Sequence, residues 1–313
     1  MVKVFVDGQE GTTGLQINDY LEKREDLEIL KIEQEERKNP ERRSYFLNSA
    51  DIVFLCLPDA ASWEAVSLVS NPTTRIIDAS TAYRTDDQWT YGMPELNPAQ
   101  RAKIKAASRV ANPGCHATGF VLSLNPLVQT GIVPKDYPVT CYSLTGYSGG
   151  GKKLIQTFEN SELQNISSPK HYALQLHHKH LPEMQKAVGL SYPPAFMPVI
   201  ANYYKGMVTS IPLLPRLLNK KVTIVDVKDI FSEYYQDEPF VKIMASDDSC
   251  LEKGYMNAEA CNGTNRFEVF VYGNDEQIVV MARFDNLGKG ASGAAIQNMN
   301  IMLGAPETTG LIV

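Results

Sequence analysis

Residues 2–14, VKVFVDGQEGTTG, decide how the rest of the chain is read: a β-branched run stops at Gly8, and Gly11 and Gly14 follow. Val2–Val6 predicts a strand, because β-branched and aromatic side chains suit a pleated, half-buried surface. Glycines directly after it permit a tight turn and leave the first N–H groups of the next helix open to an anion such as a pyrophosphate. The spacing is G-x-x-G-x-x-G, not the commoner G-x-G-x-x-G, so the turn by itself is weak evidence for a dinucleotide. Its place after the first strand of a β-α-β series is what strengthens the reading. Gly8, Gly11, Thr12, Thr13 and Gly14 are the candidate cofactor contacts.

Downstream, Leu27–Ile32, Ile52–Leu57, Arg75–Ile77 and Arg109–Ala111 read as further strands, separated by helical stretches of about 10–20 residues. That alternation predicts an α/β architecture with a doubly wound, parallel, Rossmann-type sheet. From about Tyr137 the strands lengthen: Pro138–Thr145, Val222–Val227, Arg266–Tyr272 and Gln277–Arg283, with the hairpin signal Gly273-Asn274-Asp275 between the last two. A second, α+β domain with a mostly antiparallel sheet is expected. The tail Gly288–Leu303 reads as one closing helix, with Ala295, Met299 and Met302 at helical spacing. No fixed-period repeat or low-complexity linker interrupts the chain. The expected division is residues 1–114 with 287–313 as the dinucleotide-binding domain, and residues 115–286 for catalysis, substrate and oligomerisation.

Composition narrows the function classes. The 313 residues are 43% hydrophobic and 21% charged, with 30 basic against 36 acidic side chains and a net charge of −6. No basic stripe suits a nucleic acid. The opening MVKVFVDG is already strand and turn, without a signal-peptide pattern, and no apolar run approaches the ~20 residues of a membrane span. A cytoplasmic protein is expected, with neither nucleic acid nor membrane as partner. Cys56, Cys115, Cys141, Cys250 and Cys261 are odd in number and lack any C-x-x-C, which argues against a disulfide framework or a zinc knuckle.

Two short stretches carry the chemistry. In Asn112-Pro113-Gly114-Cys115 a sharp strand-to-helix turn sets a thiol in the first turn of a helix continuing through Leu124. There the N-terminal field favours the thiolate and lowers the pKa from ~8.5. Asn112 offers an amide to the same space as a substrate contact, whereas His116 reads as a bystander in the helix. In His177-His178-Lys179-His180-Leu181-Pro182-Glu183, Pro182 marks the first turn of a helix running through Val188. His178 and His180, two apart on an extended approach, share a face and divide proton carriage and substrate binding. A third zinc ligand is missing nearby, so no residue is assigned to a metal. Gly146-Tyr147-Ser148-Gly149-Gly150-Gly151-Lys152 nearly spells a P-loop, but Lys153 stands where Ser or Thr must hold magnesium. Its N–H groups suit an anionic substrate group, with Ser148 and Gly149 as the contacts, or the close approach of a cofactor ring. After the second strand, Glu33–Glu36 is followed by Arg37 and Lys38, a mixed signal in which the two basic residues are candidates to clamp a 2′-phosphate.

An activated cysteine, a histidine pair and a dinucleotide turn together suit oxidoreduction through a thioester. A Cys-His hydrolase or acyltransferase would leave the dinucleotide turn unexplained, and a non-catalytic cofactor sensor the thiol. The chain also resembles the N-acetyl-gamma-glutamyl-phosphate reductases of arginine biosynthesis, in their shorter length class, within the aspartate-semialdehyde dehydrogenase superfamily, whose similar layout makes an aspartate-semialdehyde dehydrogenase or related acyl-phosphate reductase the alternative. The likeness rests on Gly8–Gly14, Leu55-Cys56-Leu57-Pro58, Asp78–Arg84, Tyr91–Leu96, Asn112–Cys115, Gly146–Lys152, His178–Glu183 and Asn286–Ala291. Lys179 replaces an arginine usual in the larger class and leaves both histidines in place.

The resemblance implies an acyl-phosphate reduction with NADPH in which Cys115 is the nucleophile and His178 the general acid/base. His180 and Glu183 orient His178 or the substrate, and Arg84 binds its phosphate or carboxylate. Ser80 contacts the cofactor, and Asn286 and Leu287 lie near the nicotinamide. A small-molecule substrate and a homo-oligomer, dimer or tetramer, complete the expectation.

Overall fold

Parallel strands cannot be joined by tight turns, so each needs a crossover, and helices fill that role through the first third of the chain. The computed structural model describes residues 1–9, 11–160, 163 and 166–313, which leaves Glu10 of the opening turn outside the described residues. The chain divides into two units, Met1–Gly114 with Ala291–Leu311, and Cys115–Gly290 with Ile312–Val313.

In the first unit, β1 (Val2–Asp7), β2 (Leu27–Leu30), β3 (Ile52–Leu55), β4 (Arg75–Asp78), β5 (Thr90–Tyr91) and β6 (Arg109–Ala111) form one sheet. The order is β2-β1-β3-β4-β6-β5 and every pairing is parallel, the doubly wound sheet that the alternation predicts. Its crossovers include α1 (Thr12–Leu21), α2 (Pro40–Ser49), α3 (Asp59–Ser67) and α4 (Gln100–Ala106). All four residues of β3 are buried, as a strand covered on both faces requires. Phe5, Leu47, Val53, Leu55 and Ile76 make the core there.

The strand order reverses direction between β1 and β3, the switch point outside whose carboxyl ends open α/β sheets bind ligands. Because the strands are parallel, Gly8, Cys56, Ala79 and Asn112 all leave the sheet at that edge. Backbone bonds stitch it: Cys56 N–H to the Asp7 carbonyl at 2.8 Å, Ala79 to Leu55 at 2.9 Å and Asn112 to Asp78 at 2.7 Å.

The second unit holds β7 (Thr140–Gly146), β8 (Lys170–His171), β9 (Ala195–Ala201), β10 (Met207–Leu213), β11 (Val241–Ile243), β12 (Phe267–Gly273) and β13 (Ile278–Phe284). They lie in the order β11-β12-β13-β10-β7-β9-β8. Pairings β12–β13, β13–β10, β10–β7 and β9–β8 are antiparallel, while β7–β9 and β11–β12 are parallel. The hairpin falls where Gly273-Asn274-Asp275 predicts it. Asn274 closes it by accepting at its side-chain oxygen from the N–H groups of Glu276 and Gln277, at 2.9 and 3.1 Å. Helices α5 (Cys115–Gln129), α6 (Gly151–Glu159), α7 (Leu181–Val188) and α8 (Ile224–Tyr234) complete this unit. Helix α5 is buried from His116 through Val128. It approaches the sheet closely at Gly119, where a methyl group would press on Thr209 and Phe284.

Two expectations are corrected. Val222–Val227 is not a strand: α8 begins at Ile224, and its buried residues Val227 and Phe231 recur at the helical interval. Thr223 and Asp226 form a capping box, Asp226 N–H donating to Thr223 Oγ1 at 3.2 Å and Thr223 N–H to Asp226 Oδ2 at 2.7 Å. Those reciprocal bonds satisfy donors that the first helical turn leaves open, and outweigh the β preference of the Val/Ile run. The closing segment is also not one regular helix: Gly288–Ser292 forms a π-helical turn before α9 (Gly293–Leu303). Ala295, Met299 and Met302 are buried as expected, and so are Gln297, Asn298 and Asn300. The polar side chains are bonded within the first unit, Gln297 to Glu95 at 2.9 Å and Asn298 to the Gly92 carbonyl at 2.8 Å.

Removing the cap tests its part in α8. Thr223→Ala is expected to lower stability by about 1 kcal/mol in urea unfolding, whereas Val225→Ala, at an exposed position, changes it by less than about 0.5 kcal/mol.

Candidate active site

In the first unit the opening turn is shaped by what glycine lacks. Gly8 has φ +89°, and a Cβ there would strike the Cys56 carbonyl, just as one on Gly14 would strike that of Gly8. Gly11 N–H donates to the Gly8 carbonyl at 3.0 Å. Helix α1 then starts at Thr12 with no side-chain cap and no acid in its first turn. Thr12 Oγ1 is buried and has no hydrogen-bond partner among the described residues. Open helical N–H groups, a buried hydroxyl and a cradle that a Cβ would fill suit an anionic oxygen, and the pyrophosphate of a dinucleotide fits them. Thr13 accepts at its carbonyl from Ser292 Oγ at 3.3 Å. Arg37 is half-buried and Lys38 exposed in the turns after β2.

Sequence reasoning missed Arg43, whose guanidinium is buried against Asp7 at 2.8 Å and reaches Glu64 at 3.1 Å. Burial pushes the Asp7 carboxyl above its ordinary range, with Arg43 opposing the shift. The only sequence signal was a charged residue on the inner face of α2.

Three predicted contacts turn out to build the edge of the sheet. Ser80 donates its hydroxyl to Asp78 at 2.6 Å and accepts from the Ala82 N–H at 3.1 Å. Ser62 donates to the other Asp78 oxygen at 2.5 Å, and burial is the main cause that raises that carboxyl's pKa. Arg84 donates to the Asn112 and Ala79 carbonyls, both at 2.9 Å, and so ties its loop to the end of β6. Asn112 is 1% exposed. Its amide donates to the Ala291 carbonyl at 3.0 Å and accepts from Asn298 at 3.1 Å. Those two bonds hold the Asn112 amide in place at the end of β6.

In the second unit Cys115 is the first residue of α5 and is half-buried. A helix N-terminus favours the thiolate. Burial works the other way on three other thiols, raising Cys56 and Cys141 and pushing Cys261 up to about 11.

His178 and His180 do meet, their ring centroids 4.8 Å apart. The approach is not extended, however. His180 has helical backbone angles, φ −86° and ψ −8°, and residues 178–181 form a turn closed by Leu181 N–H to the His178 carbonyl at 3.0 Å. The His180 N–H also donates to His178 Nδ1 at 3.2 Å, which leaves the proton of the neutral ring on Nε2. Glu183 is buried in the first turn of α7, and His177 is exposed.

His116 is no bystander. Its ring lies 5.4 Å from that of His178 and 5.7 Å from that of His180, with Phe196 5.1 Å from both His116 and His178. Burial, with nearby positive charge, pushes His178 down to about 4 and His116 to about 3, so both rings are neutral near pH 7. Helical geometry from Cys115 gave no hint of this, because the partners arrive from β9 and from the chain before α7.

Ser148 and Asn286 likewise turn inward. Asn286 donates to Ser148 Oγ at 3.0 Å and accepts from Gly206 N–H at 2.8 Å, locking two turns together. The Ser148 hydroxyl is buried, while Gly149 beside it is exposed. Leu287 is buried, its N–H bonded to Asp285 at 2.9 Å. A Cβ on Gly290 would lie 3.0 Å from that of Cys115, so the glycine leaves room beside the sulfur. Among the described residues no group of three or more His, Cys, Asp or Glu side chains suits a metal ion, and no helix is long and apolar enough to cross a membrane.

Comparison with known proteins fits both units. Family models for the semialdehyde dehydrogenase NAD binding domain and the semialdehyde dehydrogenase dimerisation domain match residues 4–104 and 115–286. N-acetyl-gamma-glutamyl-phosphate reductase 2 of Nostoc sp. is 46% identical over 318 residues, covering 99% of each chain. A protein of the same name from Pseudomonas putida is 45% identical, covering 98% of each. Among solved structures, aspartate semialdehyde dehydrogenase from Francisella tularensis superposes with a TM-score of 0.74 at 16% identity, over 97% of this chain and 100% of that one. Aspartate semialdehyde dehydrogenase II from Vibrio cholerae, complexed with ASA, gives 0.74 at 16%, over 97% and 98%. At that identity the structural likeness is one of fold.

The two depressed histidines make stability depend on pH. Unfolded imidazoles take up protons near their ordinary value of ~6.5, but His116 and His178 stay neutral in the fold until about 3 and about 4. Their contribution is fully present above pH ~6.5 and is lost as pH falls toward 4. Thermal unfolding should show Tm falling over that window in the wild type, and His178→Asn flattening the fall; an unchanged slope would contradict the assignment.

Proposed function

The chain belongs to the N-acetyl-gamma-glutamyl-phosphate reductase family, and from that premise we propose that it reduces N-acetyl-gamma-glutamyl phosphate to N-acetylglutamate semialdehyde and phosphate, in arginine biosynthesis. The observation that carries the reading is Cys115 at the head of a buried helix, in a unit where the ring of its chain neighbour His116 lies 5.4 Å from that of His178 and 5.7 Å from that of His180.

The Cys115 thiolate adds to the acyl carbon, and the bond from that carbon to the phosphate oxygen breaks, leaving a thioester. NADPH, when bound, supplies the hydride that reduces the thioester carbon. Gly8, Gly11, Thr12, Thr13 and Gly14 hold its pyrophosphate, and Arg37 and Lys38 favour the 2′-phosphate of NADP over NAD. The carbonyl oxygen takes up negative charge as reduction proceeds, and the carbon–sulfur bond then breaks to release the aldehyde and the thiolate.

Hydrogen bonding divides the histidine roles. With His178 Nδ1 accepting from backbone, its Nε2–H donates to the developing oxyanion, so His178 acts on the acid side. Removal of the Cys115 proton is assigned to His180, whose ring lies 4.8 Å from that of His178, with Glu183 in the same turn orienting it. Gly149, exposed beside Ser148, attracts an anionic end of the substrate. Asn112 and Ser80 hold the loops of the first unit, and Ser148, Asn286 and Leu287 those of the second. We read the chain as cytoplasmic and as a homo-oligomer, the latter supported by the dimerisation-domain match.

A spectrophotometric assay in the reverse direction tests the substrate: N-acetylglutamate semialdehyde, phosphate and NADP, with NAD and aspartate semialdehyde in parallel. Oxidation of the aspartyl compound and not the acetylated one would sink the assignment. Cys115→Ala is expected to lower kcat by about 10⁴-fold or more, while Cys141→Ala leaves it within about twofold and costs about 1 kcal/mol of stability. In pH–rate profiles His180→Asn should remove the low-pH limb of kcat/KM, and His178→Asn should lower kcat while keeping that limb.

A further inference from the structure

Two consecutive arginines in the first turn of α2, Arg42 and Arg43, have opposite surroundings, and the reaction above uses neither. Arg43 is buried and gives its donors to carboxylates, Nε and Nη2 to Asp7 Oδ2 at 3.2 and 2.8 Å and Nη1 to Glu64 at 3.1 Å. Asp7 directly precedes Gly8, so this pair fastens the start of α2 to the root of the turn that suits a pyrophosphate. The Arg42 side chain is 42% exposed, and its one hydrogen bond among the described residues runs from Nε to Glu36 at 2.9 Å. Nη1 and Nη2 donate to no described residue. The guanidinium rests on aromatic rings, 5.5 Å from the Phe46 centroid and 5.6 Å from that of Tyr45. Phe46 in turn stacks on Phe5 of β1, with centroids 5.4 Å apart, so the support beneath the guanidinium is tied to the sheet.

The segment between β2 and α2 is drawn to the same turn. Gln9 Nε2 donates to the Ile32 carbonyl at 3.4 Å, and the N–H groups of Glu36 and Asn39 close successive turns on the Glu33 and Glu36 carbonyls at 3.0 and 2.8 Å. In dinucleotide-binding sheets this segment meets the adenosine ribose, where an acid favours free hydroxyls and an arginine favours a 2′-phosphate. Glu36, the half-buried acid there, is already bonded to Arg42. A guanidinium held at Nε, with both terminal NH₂ groups open, offers the planar fork that matches two phosphate oxygens.

We propose that Arg42 is the specificity-determining residue for the cofactor, gripping the 2′-phosphate of NADP through Nη1 and Nη2. The inference rests on the reading of the first unit as an NADP site and sharpens it: Arg37 and Lys38 add positive charge from the turns before α2, while Arg42 supplies the fixed geometry.

Isothermal titration with adenosine 2′,5′-bisphosphate and with 5′-AMP, which differ only in the 2′-phosphate, reads this contact without turnover. The wild type should bind the bisphosphate tighter by about 30-fold or more, the size expected of paired hydrogen bonds to a charged group. Arg42→Met, a change at a half-exposed position that should fold, is expected to remove most of that preference and to leave 5′-AMP affinity within about twofold. Arg42→Lys should recover part of it, because it restores the charge without the fork. Arg37→Ala and Lys38→Ala should each keep most of it. A wild type that prefers the bisphosphate, with Arg42→Met retaining that preference within about twofold, overturns the assignment of Arg42 alone. A wild type that binds the two compounds equally overturns the NADP reading and this inference with it.

Discussion

The electrostatic field at the head of a buried helix is the constraint on which the second unit is built. Helix α5 is covered from His116 to Val128, so its position is fixed by packing against β10 and β13, and its first residue can stand in one place only. A helix start leaves up to four backbone donors without partners, and their field favours an anion. Cys115 occupies that position. Helix α7 packs on α5 and presents its own N-terminal turn, with His178 and His180 at its approach, to the same region of the unit.

The first unit answers a different constraint with similar means. Parallel strands end together, so several loops leave one edge and must be held apart and in shape. Buried carboxylates do this: Asp78 anchors Ser62 and Ser80, and Asp7 is paired with Arg43. Arg84 and Asn112 extend the lattice by bonding backbone carbonyls. The opening turn is left with open N–H groups and no competing acid in the first turn of α1, which is why it is the part of this edge suited to an anion.

Much of the first unit is legible in the order of its residues. The β-branched runs at Val2, Ile52, Arg75 and Arg109 mark buried parallel strands because only fully covered strands lack alternation, and β6 has the bounds the sequence predicts. The Val222–Val227 run misleads because its own turn chemistry, Thr223 with Asp226, matters more than side-chain branching. The π turn at Gly288 is hidden behind an ordinary helical composition.

At the site, the order of residues along the chain determined Cys115 after Pro113-Gly114 and the clustering of His178 and His180, since both depend on neighbours within a few positions. Only the tertiary structure decided that His116 meets Ser143 and Tyr172, 27 and 56 residues away, that His178 Nδ1 is taken by a backbone donor, and that Asn112, Ser80, Ser148 and Asn286 face the fold. A local motif names the groups available for chemistry. Which lone pair is open and which way a proton points are set by partners that converge through sheet register and helix packing, and no spacing along the chain encodes those.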